Sequence, residues 1–328
     1  MVGQVTGRTD DGGQNVRITY LATRLGQALL VLWAAFTLSF MLLQALPGDA
    51  VLIKFMSPEL GLSASQIAEL RLAYGADVPL LTQYAASLSR LLHGDFGLSL
   101  QAGLPVSDLL ATNLPPTLLL AVLGFGAALL LAFALAFLSA LTPFAWLRQL
   151  FQSVPSLLIS IPTFWLGIVL IQVFSFRLGW ISVINPGEWE GLVLPVLTLS
   201  VPIAAPIAQV LMRSIDQVLA QPFVAVARAK GLSRRGVLWR HVARNAMLPA
   251  LTLAGLLLGE LIAGALITET VFGRSGLGQL TQEAVNTQDA SVLQAIVLVS
   301  ATAFVTVNLL VDLLYPWLDP RLKTASEV

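Results

Sequence analysis

Apolar residues along this chain come in long unbroken runs rather than alternating with polar ones. Six runs stand out, at residues 25–46, 118–141, 157–176, 192–211, 250–271 and 292–314. Each is long enough, as a helix, to cross a hydrocarbon core about 30 Å thick. The pattern predicts six transmembrane helices. The first twenty residues, MVGQVTGRTDDGGQNVRITY, are polar and glycine-containing and read as a flexible tail. The apolar run after them is too long for the h-region of a cleaved signal.

The connection from 47 to 116 is too long to be a plain turn and carries helix signals of its own. Ser63 with Gln66 three residues on is a capping-box pattern. It predicts a short helix through Ile67, Leu70 and Leu72 to about Tyr74. Pro79 then starts a second helix, with Leu80, Tyr84, Leu88 and Leu91 at helical spacing. Both are expected on the outer surface, against the bundle.

Charge orients the runs, because cytoplasmic loops collect Lys and Arg. Arg8, Arg17 and Arg24 precede or open the first run, whereas the 47–116 connection carries three basic and six acidic residues. Between 213 and 245 there are seven basic residues and the single acid Asp216, and Arg321 and Lys323 close the chain. Both termini and the 213–245 loop are therefore expected inside. The predicted organisation is a cytoplasmic tail (1–20), a first span (21–46), an extracytoplasmic loop with short helices (47–116), a five-helix core (117–316) containing the inner loop 213–246, and a cytoplasmic tail (317–328). The fold class is an all-α polytopic membrane protein.

Composition agrees: 56% of the 328 residues are apolar and mean hydropathy is +0.82, too apolar for an ordinary soluble domain. Zero net charge gives no reason to expect a nucleic-acid partner. With no cysteine, the chain makes no disulfide and no thiolate metal site. Six of its eighteen basic residues fall in VARAKGLSRRGVLWRHVARNAMLP, residues 226–249. Topology alone would explain that charge. The layout adds something: residues 221–230 suit a short helix with Pro222 in its first turn and Gly231 ending it, and a second helical run over 235–247 leads to Pro249 and the fifth span. Such a rigid inner structure can serve as a docking surface.

These residues resemble the inner loop of the membrane subunits of bacterial ATP-binding-cassette importers of the dipeptide, oligopeptide and nickel family. The resemblance extends from about Leu21 to Lys323, through LPGDA (46–50), HGDFGLSL (93–100), IPTFWLGIVL (161–170), ETVFGRSGLGQL (269–280) and NLLVDLLYPWLDPRLK (308–323). It implies that Ala225, Ala227, Arg228, Ala229, Lys230, Gly231, Leu232 and Ser233 belong to a cytoplasmic coupling helix and its turn, which seat in a groove of the ATPase. The wider superfamily often has Glu-Ala-Ala where this chain has Ala225, Val226 and Ala227, so docking is assigned to the loop as a whole. The resemblance further implies a bacterial inner-membrane location, a homologous second permease forming a heterodimer, two ATPase subunits or domains holding ATP and Mg, and an extracytoplasmic solute-binding protein. The solutes it allows are peptides, nickel or metal chelates, glutathione-like molecules and opines.

No cofactor is expected on this chain. None of its three lysines, Lys54, Lys230 and Lys323, stands in a G-x-x-x-x-G-K-[ST] loop, so ATP is expected on another chain. His93 and His241 are predicted on opposite sides of the membrane, and neither H-E-x-x-H nor G-x-S-x-G occurs, so no metal site and no hydrolytic chemistry is expected. Glu260, in the middle of the fifth run, is expected to face the bundle interior or a cavity, either as a translocation-path contact for a cationic solute or as a structural acid. Gly255 and Gly259 form a G-x-x-x-G, read as a site of close helix packing within the chain or against a second permease. Asp312 is read as an interfacial residue without assigned function, and Trp180 and Trp317 as interfacial anchors. The competing class is a self-sufficient secondary transporter or channel using Glu260 as a proton or cation site. The absence of paired, broken half-helices in the sequence pattern speaks against it.

Overall fold

The computed structural model describes residues 11–45, 66, 78–187 and 189–318, with the side chains of 22–44, 66, 78–187 and 189–311. Five helical stretches in it are long and apolar enough to cross a bilayer: Ala22–Gln44, Val106–Leu141, Glu190–Leu219, Arg234–Leu258 and Ala290–Val311. A sixth crossing is the bent pair Ala145–Ile159 and Thr163–Arg177, if that pair counts as one span.

Helix α1 (Asp11–Ala45) begins ten residues before the expected start of the first span, so residues 11–20 are helical rather than a loose tail. No proline interrupts this stretch, and extending a formed helix costs far less than starting one. The Ser63 capping box and the helix expected over 67–74 lie outside the described residues, Gln66 excepted. The second loop helix is present as α2 (Leu80–Leu92), entered from Pro79. Tyr84 attaches it to α1. The ring centroid is 5.3 Å from those of both Phe36 and Phe40, and the hydroxyl is 2.8 Å from Thr37 Oγ1.

Helix α3 (Val106–Leu141) starts eleven residues before the expected 117 and carries Pro115 and Pro116 inside it. Prolines look like a boundary in sequence, but membrane helices tolerate them where neighbouring groups satisfy the freed backbone. Its small residues Ala121, Gly124, Ala128, Ala132, Ala136 and Ala140 recur at helical spacing and are all buried. This flat stripe lets α6 (Glu190–Leu219) approach closely: a methyl group at Gly124 would come within 2.7 Å of Leu199.

The third run is broken. Helix α4 (Ala145–Ile159) meets α5 (Thr163–Leu170), continued by a π-helical turn at Ile171–Arg177, with a bend of 107° at residues 160–162. Pro162 lacks an N–H and disfavours helical dihedrals at Ile161, which places the break. Contacts along α6 step from Asp216 (with Arg148) through Gln209 (with Ser156) to Thr198 (with Gly167), so the bent pair advances along α6 as one traverse.

Inside α6, Pro195 cannot bond the carbonyl of Gly191 four residues back, and Arg274 Nη1 donates to that carbonyl at 2.7 Å. After the basic loop, the chain climbs through α9 (Ala243–Leu258) and α10 (Glu260–Phe272), separated only by Gly259, whose dihedrals are helical (φ −63°, ψ −32°). Short α11 (Leu277–Asn286) and long α12 (Ala290–Leu318) follow. The main core runs along α3, α6 and α9. A second core joins Val106 and Leu110 to Leu277, Leu280, Val292 and Ile296 at the opposite end of the bundle from the basic loop.

Candidate functional site

The basic loop is almost wholly helical. Helix α7 (Pro222–Ala229) opens with proline at its first position, where a missing N–H costs nothing, and Lys230 closes it. Gly231 then turns left-handed at φ +84°. Its N–H donates to Arg228 O at 2.9 Å and that of Leu232 to Ala227 O at 3.3 Å. This pair of bonds is the Schellman ending, and it needs a residue that accepts positive φ without a Cβ penalty. Ser233 starts α8 (Arg234–Val237), its Oγ accepting from Gly236 N at 3.2 Å. A π-helical turn, Leu238–Val242, joins α8 to α9. Sequence periodicity predicts a plain helix over 235–247, and the wide turn is a departure from it. Pro249 lies within α9 instead of marking its start.

One face of this unit holds it to the bundle. Val224, Ala227, Val237, Leu238 and Val242 are buried in the main core, Leu232 packs against it, and Trp239 stacks on Phe137 of α3 with ring centroids 4.6 Å apart. The other face is bare: Phe223, Ala225, Val226, Arg228, Ala229, Lys230, Gly231 and Ser233 are exposed, as are Arg234, Arg235, Arg240 and Arg244. The residues expected to act together thus divide. Ala227 and Leu232 anchor, and the rest of the set face outward. Asp216, the one acid of the region, is occupied by an ion pair with Arg148 and a 3.3 Å hydrogen bond from Gln152 Nε2, both on α4. What remains is a fixed, acid-free, partly apolar helix end, suited to a partner that offers acceptors and carboxylates.

Of the two settings expected for Glu260, the structure excludes one, the interior of this chain. The residue is exposed on the surface of the chain, in a stripe with Leu256, Ala263, Ile267 and Thr270. A carboxylate at that depth costs about 2.5 kcal/mol or more if lipid covers it. Burial inside this chain is not how it escapes that cost. Gly255 and Gly259 pack inside the chain: a methyl group at Gly259 would come within 2.5 Å of the Phe304 ring, and one at Gly255 within 2.6 Å of Val311, both on α12.

Two acids given no role from the sequence, Glu269 at the head of the ETVFGRSGLGQL segment and Asp289, organise the opposite end. Glu269, 1% exposed, accepts the N–H of Gly278 at 2.7 Å, and Thr117 Oγ1 accepts that of Leu277 at 2.9 Å. Together they satisfy free donors at the start of α11 from two other helices. Asp289, 2% exposed, accepts Val292 N at 3.3 Å in the first turn of α12, Ser99 Oγ at 2.6 Å and Gln101 N at 3.2 Å. It thereby ties the 93–105 loop to the bundle. The available signals were a glycine pair, Gly276 and Gly278, beside ETVF, and an acid three residues before a helical run.

Residues 128–324 match the family model of the binding-protein-dependent transport system inner membrane component. The glutathione transport system permease protein GsiC of Escherichia coli K12 is 35% identical over 307 residues, covering 93% of this chain and 99% of that protein, and the same figures hold for GsiC of Shigella dysenteriae serotype 1. The fold is similar to that of the inward-facing MetNI methionine ABC transporter in its CY5 SeMet soak crystal form, with a TM-score of 0.55, 17% identity, and coverage of 64% of this chain and 96% of that one. A helical, multi-pass membrane protein with this match over most of its length is an importer permease, and the chain belongs to the binding-protein-dependent transport system inner membrane component family of ABC importers.

Proposed function

We propose that this chain is one of two homologous permeases in an importer for short peptides or a glutathione-like solute, with α7 and its Gly231 turn docked in a cytoplasmic ATPase. Support for the docking role comes from the exposed, acid-free face of α7 on a unit whose other face is locked into the core. Arg228 and Lys230 stand at the end of that helix, and Ala225, in its middle, takes the place of the superfamily's usual acid. The contact therefore relies on basic and apolar groups. Support for the solute class comes from the glutathione named for the 35%-identical relatives.

In this reading both termini and the 213–246 loop are cytoplasmic, because the basic residues collect there. ATP and Mg belong to two ATPase subunits, a binding protein delivers solute on the other side, and the second permease is a different chain. ATP-driven closure of the ATPases pulls on α7. Its rigid attachment to α3, α6 and α9 passes the displacement to the spans.

The test is uptake by proteoliposomes holding the complete complex with binding protein, given ATP or a non-hydrolysable analogue inside and glutathione or tripeptides outside. Uptake with ATP alone is expected. Uptake by this chain alone under an ion gradient would overturn the reading.

A further inference from the structure

Glu260 stands sixteen residues after Arg244 and fourteen before Arg274. At ~1.5 Å rise per residue these are about 24 and 21 Å along the helical path, so the carboxylate lies close to the middle of the bilayer. It has no hydrogen-bond or ion-pair partner among the described residues. Around it the exposed positions 256, 260, 263, 267 and 270 fall every three or four residues on one face of α9 and α10. The neighbouring faces are taken: Gly255 and Gly259 lie on α12, Gly264 on Leu199 of α6, and Val271 against Gly167 of α5. By contrast α1 exposes Leu25, Leu29, Leu30, Trp33, Leu38 and Leu42, an apolar surface of the kind lipid covers. Lipid over an unpaired carboxylate at mid-depth would cost about 2.5 kcal/mol or more, which a water-lined setting avoids.

We infer that the Glu260 stripe lines a water-filled path between this chain and the second permease, and that Glu260 draws in solutes through an ammonium group. This rests on the transport reading above and adds a chemical selectivity to it. A carboxylate in a narrow, water-filled path with low-dielectric walls concentrates cations and disfavours anions, and an amino-bearing peptide offers one ammonium to that field. The four other members of the stripe are apolar or, in Thr270, uncharged, so they leave the field to Glu260.

The chain has no cysteine, so single cysteines can be read against a clean background. In the assembled complex, Ala263→Cys is expected to react with a cationic, membrane-impermeant thiosulfonate about tenfold faster than with an anionic one, and Glu260→Gln should collapse that ratio towards one. Leu29→Cys on α1 should resist both reagents. For uptake, glutathione and trialanine are compared with their N-acetylated forms. Glu260→Gln is expected to cut uptake of the free-amine forms about tenfold and to leave uptake of the more anionic acetylated forms unchanged or higher, and Glu260→Asp to retain most of the preference. The inference is overturned if Ala263→Cys reacts only with lipid-soluble reagents, or if the reagent ratio is near one with Glu260 present, the result a partner's basic side chain would give. Absence of ATP-dependent uptake of every probe, with the charge-dependent labelling intact, would overturn the transport reading and not the path.

Discussion

The carboxylate of Glu269 accepts the backbone N–H of Gly278 at 2.7 Å, so an acid near the end of α10 starts α11. The geometry leaves no room for larger residues at the turn. A methyl group at Gly276 would collide with the Glu269 carboxylate, and one at Gly278 with the Leu266 carbonyl. Gly278→Ala is therefore expected to lower stability by about 1–3 kcal/mol, the cost of overpacking. Glu269→Ala should cost a similar amount by leaving buried donors unpaired. Thermal melting of the detergent-solubilised complex measures both, and a melting point unchanged in both variants would remove this contact from the account.

Gly231 is the second position where backbone conformation dictates the residue. At φ +84° a β-branched side chain pays about 1–2 kcal/mol, enough to fray the last turn of α7. Gly231→Val is expected to reach the membrane normally and to lose at least about fivefold in ATP hydrolysis coupled to uptake, while Gly231→Asn, which tolerates left-handed dihedrals better, should lose less. Equal coupled hydrolysis in wild type and Gly231→Val would show that the turn does not transmit force.

The seam between α9 and α12 depends on Gly255 and Gly259. Gly259→Leu should separate the helices and lower the melting point by several degrees. A control sits on α3: Gly126 is exposed, and a methyl group added there would meet nothing within 4 Å, so Gly126→Ala should leave stability unchanged or raise it by up to about 1 kcal/mol. Equal effects at the two sites would contradict the close packing.

Arg148 and Asp216 join α4 and α6 at the end of the bundle that bears the basic loop, with side chains 38% and 40% exposed. Water screens a pair of that exposure, so either single reversal should cost no more than about 1 kcal/mol. The swap Arg148→Asp with Asp216→Arg should restore most of the loss at low salt. A double-mutant cycle of melting points in low and high salt checks this. Strict additivity at low salt would mean that the pair does not couple.

Much of the basic loop was legible in the sequence because it rests on local rules. Proline at the first turn and glycine past the last predicted α7 and its stop, and the two bonds at the Gly231 turn are those the rule requires, whereas the Ser233 cap of α8 was not read from the sequence. Pro115, Pro116 and Pro249 misled for the same reason. Proline terminates helices in water, where nothing compensates for the lost bond, whereas in a membrane bundle the helix gains more by continuing. The Glu269–Gly278 and Asp289–Ser99 contacts were invisible locally, since Gly278 and Ser99 reach these acids only through the folded chain.

A helical membrane protein, the positions of its apolar runs and the gathering of basic charge in one loop could all be read from the order of residues. These follow from hydrophobic length and charge, which act residue by residue against the bilayer. Folding in three dimensions was needed to settle where the third run breaks, which carbonyl Arg274 caps, and that Glu260 looks outward while Gly255 and Gly259 look inward. Those outcomes depend on which helix face meets which neighbour, and packing of distant segments fixes that where no local pattern can.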